Sequence, residues 1–319
     1  MANKKTSGGS KRSSKKTAAL QPANRYLRYE LTTSATPGTE VSYFCDLARD
    51  LSRTNRRLYK QGRDYHIKKI SIVSSNTPNL GNRISVSTIP DTWVSKGAWK
   101  RGHTTWKRMN EVALTQTAGD IRGTWSDFKV YMSRDMQTGV TVQPKDNGGN
   151  YFGAGEWEYS RLVSPDGTTS ADDFLLHMLG AHVGAAGSRT TVGLIKSYGE
   201  SRATVNLGSP SVPGDASSDP LVNVFDYGTT IDDVIEDLEF DNDYPPYSHA
   251  NYPGDDANAP KPSVVHDTTI VDGRAMMGGF TALAGLLEFE VKSPLQDDVI
   301  SVLVELAPGK YRGIKAEAI

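Results

Sequence analysis

Alternation of apolar and polar side chains at period two is the feature that most limits what this chain can become. Tyr26 to Thr33 (YLRYELTT) alternates, as does Arg83 to Ile89 (RISVSTI). Tyr65 to Ser74 (YHIKKISIVS) alternates too, except that its isoleucines change parity between Ile67 and Ile70. Successive strand side chains point to opposite faces, so each run predicts a strand with one buried face. The change of parity predicts a bulge or a switch of face. Gly279–Val291 (GFTALAGLLEFEV) and Val299–Leu306 (VISVLVEL) are the most apolar pieces and are expected to be central in the core. Extended segments are also predicted at Val41–Phe44, after a turn at Thr36–Glu40, and at Trp125–Met132, Trp157–Val163, Phe174–Val183 and Ser263–Val271. Ala171–Gly180 can alternatively begin as a helix after Ser170. Thr190–Tyr198 and Ser201–Leu207 read as a hairpin around Gly199–Glu200, Asn147–Gly155 as a turn, and Tyr311–Ile319 as a short edge. With 30 Gly and 16 Pro to supply turns, roughly eight to ten short strands predict an all-β fold, a single jelly-roll sandwich of two antiparallel sheets.

Three stretches depart from that pattern. Asp46–Lys60 (DLARDLSRTNRRLYK) predicts a short helix or loop whose far end is basic at Arg53, Arg56, Arg57 and Lys60. Asp91–Leu114 carries Trp93, Trp99 and Trp106, with Lys100, Arg101, Lys107 and Arg108 beside them. The Trp99–His103–Trp106 steps of four and three fit one helical face, while Gly97 and Gly102 predict one or two short helices with irregular joints. Rings interleaved with cations suit a platform for single-stranded nucleic acid; tryptophans at helical spacing also anchor a helix to a sheet. Asp215–Asp256 holds 12 acidic residues and no Lys or Arg. Within it Thr230–Leu238 predicts a short capped helix, and the five prolines of Asn242–Pro262 predict an exposed loop reaching residue 262.

The first sixteen residues, MANKKTSGGSKRSSKK, contain Lys4, Lys5, Lys11, Arg12, Lys15 and Lys16 and no acidic group. So polar a segment cannot bury enough surface to offset its ordering entropy, and residues 1–22 are expected to be a disordered basic arm. Such an arm neutralises phosphates without reading sequence, releasing counterions as it binds. Its two-residue basic clusters also fit a nuclear-import signal, and a solubilising tail is the competing reading. No apolar segment of about 7–15 residues follows it, so it does not read as a secretory signal. The net charge of −1 hides an asymmetry: residues 1–110 hold 22 Lys+Arg against 6 Asp+Glu, and the remainder 14 against 31. That split predicts a basic surface facing nucleic acid and an acidic one facing elsewhere, or two halves packed on each other.

Little chemistry is legible. Cys45 is the single cysteine, so neither an intrachain disulfide nor a thiolate zinc cluster is expected. No apolar run approaches the roughly 18 residues of a membrane span, which predicts a soluble chain with no membrane insertion. Gly199-Glu200-Ser201-Arg202-Ala203 nearly matches a nucleophile elbow, but a strand-like segment follows the serine where a helix is needed. The six histidines (His66, His103, His177, His182, His249, His266) show no metal-ligand spacing. Glu239, Asp241 and Asp243 lack the glycine and distal glutamate of a calcium loop. No catalytic residue, metal site or cofactor is expected, and the chain does not read as an enzyme.

The arm KKTSGGSKRSSKK, the first strand NRYLRYELT (residues 24–32) and the segment ISVSTIPDTWVSKGAWKRGHTTWKRMNE (residues 84–111) give a resemblance. The chain resembles the capsid proteins of small eukaryotic viruses, more narrowly those of circovirus-like circular single-stranded DNA viruses that encode a replication initiator. The resemblance covers the architecture loosely and about 50 residues at the level of motifs. It implies a jelly-roll shell domain over residues 23–319 and self-assembly into an icosahedral T=1 particle of about 60 copies. The implied partners are other copies of the chain and a packaged genome, single-stranded DNA ahead of RNA, with the virion and the host nucleus as locations. Carried over residue by residue, Lys4, Lys5, Lys11, Arg12, Lys15 and Lys16 match the packaging arm, with Arg25 and Arg28 at its root. The arm is shorter and less arginine-rich than many of that kind, which leaves RNA or non-specific cargo open. A nuclear nucleic-acid-binding β-sandwich that never assembles, and a carbohydrate-binding sandwich, are the alternatives.

Overall fold

The computed structural model describes residues 21–74, 81–116, 126–153, 155–165, 171–184, 189–203, 213–214, 229–230, 252–256 and 260–319. Eight strands build two packed sheets: β1 (Tyr26–Thr32), β2 (Val41–Asp46), β3 (Arg63–Val73), β4 (Asn82–Thr88), β5 (Ser263–Ile270), β6 (Arg274–Met277), β7 (Leu286–Lys292) and β8 (Val299–Leu306). One sheet runs β1-β8-β3-β6 and the other β5-β4-β7-β2, with every neighbouring pair antiparallel. The pairing is nested: first strand with eighth, second with seventh, third with sixth, fourth with fifth. Phe280–Ala282 and Ala316–Ala318 extend the first sheet along the start of β3, and Val140–Thr141 lies parallel on the edge of β2. The fold is dominated by β-structure, as the alternating runs predict.

Alternation translates directly into packing. Leu27, Tyr29 and Leu31 of β1 and Ile300, Val302 and Val304 of β8 face Ile84, Val86, Leu287, Phe289 and Val291 across one core. Tyr29 and Phe289 meet with ring centroids 6.2 Å apart, inside the range where aromatic pairs attract. The predicted change of parity is a bulge: Glu305 lies opposite Lys69 but Leu306 opposite Ile67, so Lys68 is the extra residue. It lets Ile67 enter the same core as Ile70 and Ile72. The two most apolar runs are central, β7 between β4 and β2 and β8 between β1 and β3. The first of those runs is interrupted, however, by a 3-10 turn at Leu283–Gly285.

Residues 89–262, between β4 and β5, form an insertion larger than the predicted short helices. Helix α1 (Leu47–Asn55) precedes it in the chain; the insertion holds α2 (Trp93–Gln116), the short α3 (Arg134–Thr138) and α4 (Leu194–Ala203). Four strands, Tyr131–Ser133, Arg161–Pro165, Ala171–Leu179 and Thr191–Gly193, make a separate sheet around Ala171–Leu179. Helix α2 begins where Thr92 Oγ1 accepts from Ser95 N and runs unbroken through both glycines. Those glycines are contact points. A Cβ on Gly97 would lie 2.9 Å from the Tyr198 ring, and one on Gly102 3.1 Å from Leu194. Tyr198 and Leu194 stand four apart on α4, which corrects the hairpin expected over Thr190–Leu207: a helical pair packs there against two small residues. The Gly199–Ala203 stretch therefore lies inside a helix, and Ser201 Oγ donates to Tyr198 O. The expected strand Trp125–Met132 is regular only from Tyr131 onward among the described residues. The predicted helix Thr230–Leu238 and most of the acidic stretch lie outside the described residues.

Candidate nucleic-acid interface

The cations that matter are organised by α1. Asp46 caps the helix, its carboxylate accepting from Arg49 N at 3.1 Å. Arg49 points inward, where its guanidinium meets Asp50 at 2.8 Å and also donates to Val142 O. Asp50 in turn accepts from Tyr29 OH at 2.7 Å. One turn on, Arg53 is half-buried; its Nη1 is buried with no partner among the described residues, and burial, then the neighbouring Arg49, lowers its pKa. The helix ends on Arg56 in the left-handed conformation (φ 52°), followed by the exposed Arg57. Arg53, Arg56 and Arg57 make no ion pair among the described residues.

The same helix end holds the root of the arm. Asn55 clasps Asn24 with two bonds, Asn24 N to Asn55 Oδ1 at 2.7 Å and Asn55 Nδ2 to Asn24 O at 3.0 Å. Gly313 sits against Gln21 and Ala23 so closely that a Cβ would lie 2.5 Å from Gln21 O, and its φ of +90° is a further reason for glycine. Residue 21 thus emerges beside Arg56 and Arg57. Lys4, Lys5, Lys11, Arg12, Lys15 and Lys16 lie outside the described residues. Arg25 is half-buried just before β1 and makes no ion pair among the described residues. Arg28 is different: it pairs with Glu30 at 2.6 Å on the outer face of the first sheet, and Lys145 shares that carboxylate. Two cations share one carboxylate there, so the cluster keeps a net positive charge.

Beside α1 lies an open cleft of about 500 Å³, lined by Arg53, Arg56, Arg57, Lys129, Gly153 and residues 155–158, Trp157 among them. The cleft wall is rigid because a buried polar junction stands behind it. Asp46 accepts from Trp157 Nε1 at 3.0 Å, Gln61 Nε2 at 3.2 Å and Tyr159 OH at 3.3 Å. Burial raises the Asp46 carboxyl, opposed first by the Arg49 charge. Gln61 clamps the insertion to the sandwich, donating to Val130 O at 2.9 Å and accepting from Val130 N at 2.6 Å.

The tryptophan segment splits the two readings offered for it. Trp99 is buried in the second core against Phe128, and Trp99, His103 and Trp106 stack in turn with centroids 5.1 and 6.2 Å apart. The stack anchors α2, with Trp99 buried and His103 and Trp106 half-buried. Trp93 stays half exposed between Tyr198 and Tyr252. Lys100, Arg101 and Arg108 are exposed and make no ion pair among the described residues, whereas Lys107 lies 3.8 Å from Glu111.

Sequence reasoning noticed the basic end of α1 without assigning it a role, and it missed Lys129 and Trp157. Only a run of arginines after a helical pattern signals the first; the other two are brought in from the insertion by Asp46 and Gln61. Of the acidic residues, Asp255 accepts from Tyr252 N and Asp256 pairs with Lys196, so both serve the chain itself. Among the described residues no three His, Cys, Asp or Glu side chains gather as a metal site. Compared with protein-family models, curated proteins and solved structures, the chain matches none.

Proposed function

We propose that this chain is a viral coat protein whose jelly-roll sandwich closes into a small icosahedral shell around single-stranded nucleic acid, circular DNA in the first instance. The observation that carries the reading is the nested strand order, 1-8-3-6 facing 5-4-7-2. Rolling up a long antiparallel hairpin as two Greek keys produces that order, and capsid domains are among the proteins that use it. The same architecture serves lectins and cupins, so the sandwich by itself does not choose a function. The choice rests on charge. Residue 21 lies at the end of the sandwich where Arg53, Arg56 and Arg57 make no ion pair among the described residues, and we assign that end to the shell interior. Arm and helix then present one continuous cationic surface to the genome, while near-neutral overall charge lets many copies pack side by side.

The test is a sizing column followed by negative-stain microscopy, with absorbance read at 260 and 280 nm. Uniform spheres with a high 260 nm signal are expected. Removing residues 1–22 should leave spheres that are empty of nucleic acid. A small species free of particles across salt and pH would overturn the coat-protein reading in favour of a nucleic-acid-binding module that does not assemble.

A further inference from the structure

We infer that the cleft beside α1 is an ordered nucleotide site, holding one phosphate and its base from the packaged strand apart from whatever the arm binds. The inference rests on the coat-protein reading and deepens it. Three features make the cleft a site. Its volume of about 500 Å³ falls within the 300–1,000 Å³ of small-ligand pockets and admits a nucleotide. Arg53, Arg56 and Arg57 line it without an ion pair among the described residues, and Arg56 reaches over Gly153, its Nη2 3.6 Å from where a Cβ would stand. These donors converge on the α1 wall, where a phosphate oxygen would satisfy them.

The opposite wall is aromatic. Trp157 is held by its Nε1 bond to Asp46, so its ring is fixed before any ligand arrives. Lys129 Nζ lies 4.7 Å from the centre of that ring. A base stacking on Trp157 displaces the ammonium, which has a flexible stem and swings to the phosphate, exchanging one ring contact for another plus a charge pair. Glu156 and Glu158 are exposed on the remaining rim, where they repel a phosphate and so steer it to the arginine side. Stacking and phosphate contacts of this kind are tolerant of sequence. The site therefore takes any base, as a shell enclosing a whole genome requires.

The experiment uses full-length particles assembled with a single-stranded DNA 12-mer in which 5-iodouracil replaces thymine. After irradiation, cross-linked peptides are mapped by mass spectrometry. The expected result is a cross-link on Trp157, lost in Arg53→Gln/Arg56→Gln. That variant should also lower the slope of log affinity against log salt by about 1. Cross-links confined to residues 1–22, with the slope unchanged in the variant, overturn the cleft while leaving the coat-protein reading intact. Particles that never take up DNA sink the reading beneath it. Circular dichroism of the variant checks its fold, and Arg56→Gln alone, at an exposed position, gives the same slope test if the double variant unfolds.

Discussion

Acid should loosen the insertion through His177. This histidine lies on the strand Ala171–Leu179, wholly buried, with Nε2 donating to Ala181 O at 3.0 Å and Nδ1 without a partner among the described residues. Burial above all, helped by the charges of His182 and Arg134, lowers its pKa from 6.5 to about 4. The folded chain therefore binds fewer protons than the unfolded chain between those values. Stability from this group is complete above pH 6.5, is lost as pH falls, and changes no further below about 4. Holding the ring neutral over that interval couples to folding by about 3 kcal/mol in all, most of it gone by pH 4.5. His177→Gln keeps a donor for Ala181 O and does not titrate. Urea unfolding of both proteins at pH 7.5 and 4.5, followed by tryptophan fluorescence, cancels the carboxylates common to both. The wild type should lose about 2–3 kcal/mol more than the variant on acidification. Equal losses, or a His177 ring that titrates near 6.5 by NMR, would refute the reasoning.

Three further outcomes are expected. Gly62→Ala places a Cβ 2.4 Å from the Trp99 ring and should cost about 1–3 kcal/mol by thermal melting, with most of the loss recovered when Trp99→Leu makes room. Gln61→Leu strips both the N–H and the carbonyl of Val130 of their partner and takes a donor from Asp46, for a loss of about 2–4 kcal/mol in urea. Arg83→Ala breaks two exposed pairs, with Asp267 at 2.7 Å and Glu40 at 3.2 Å; the melting temperature should barely move at low salt and not at all in high salt.

What could be read from sequence was what depends on neighbours two residues away. The alternation of β1 and β8 translated into buried and wetter faces because each run is long enough to fix its own register. In β4, by contrast, the polar Ser85, Ser87 and Thr88 are buried as well as Ile84 and Val86, since other parts of the chain cover its outer face. Even the bulge at Lys68 left a trace, since shifting a strand by one residue must change the parity of its isoleucines. Helix α4 left none. Leu194, Ile195 and Tyr198 fit a strand as well as a helix when read alone, and the deciding fact, that Gly97 and Gly102 offer grooves for Tyr198 and Leu194, lies about a hundred residues away. The glycines of α2 misled for the same reason: a residue that breaks helices in isolation is the one that lets two helices touch. The cleft was legible on its α1 side alone, because Lys129 and Trp157 reach it through hydrogen bonds made by other residues.

The nested topology also resolves the charge asymmetry, which sequence left as two alternatives. Nesting places strands from the basic beginning of the chain next to strands from its acidic end. Lys68 and Lys69 of β3 consequently meet Glu305 of β8, and Arg83 of β4 meets Asp267 of β5. Opposite halves do pack together, and across the sheets that packing neutralises them. What survives is positional. Among the described cations of residues 1–110, Arg25, Arg53, Arg56, Arg57, Arg63, Lys100, Arg101 and Arg108 form no ion pair. They lie before β1, at the end of α1, at the start of β3 and along α2, which packs on that start through Trp99 and Gly62. The first three of these places meet at one end of the sandwich, since Asn55 bonds Asn24 and the starts of β1 and β3 both lie beside the end of β8. A topology that cancels charge on the sheet faces and leaves it before β1 and at the end of α1 concentrates the remaining positive field at that one place, where a polyanion would be attracted.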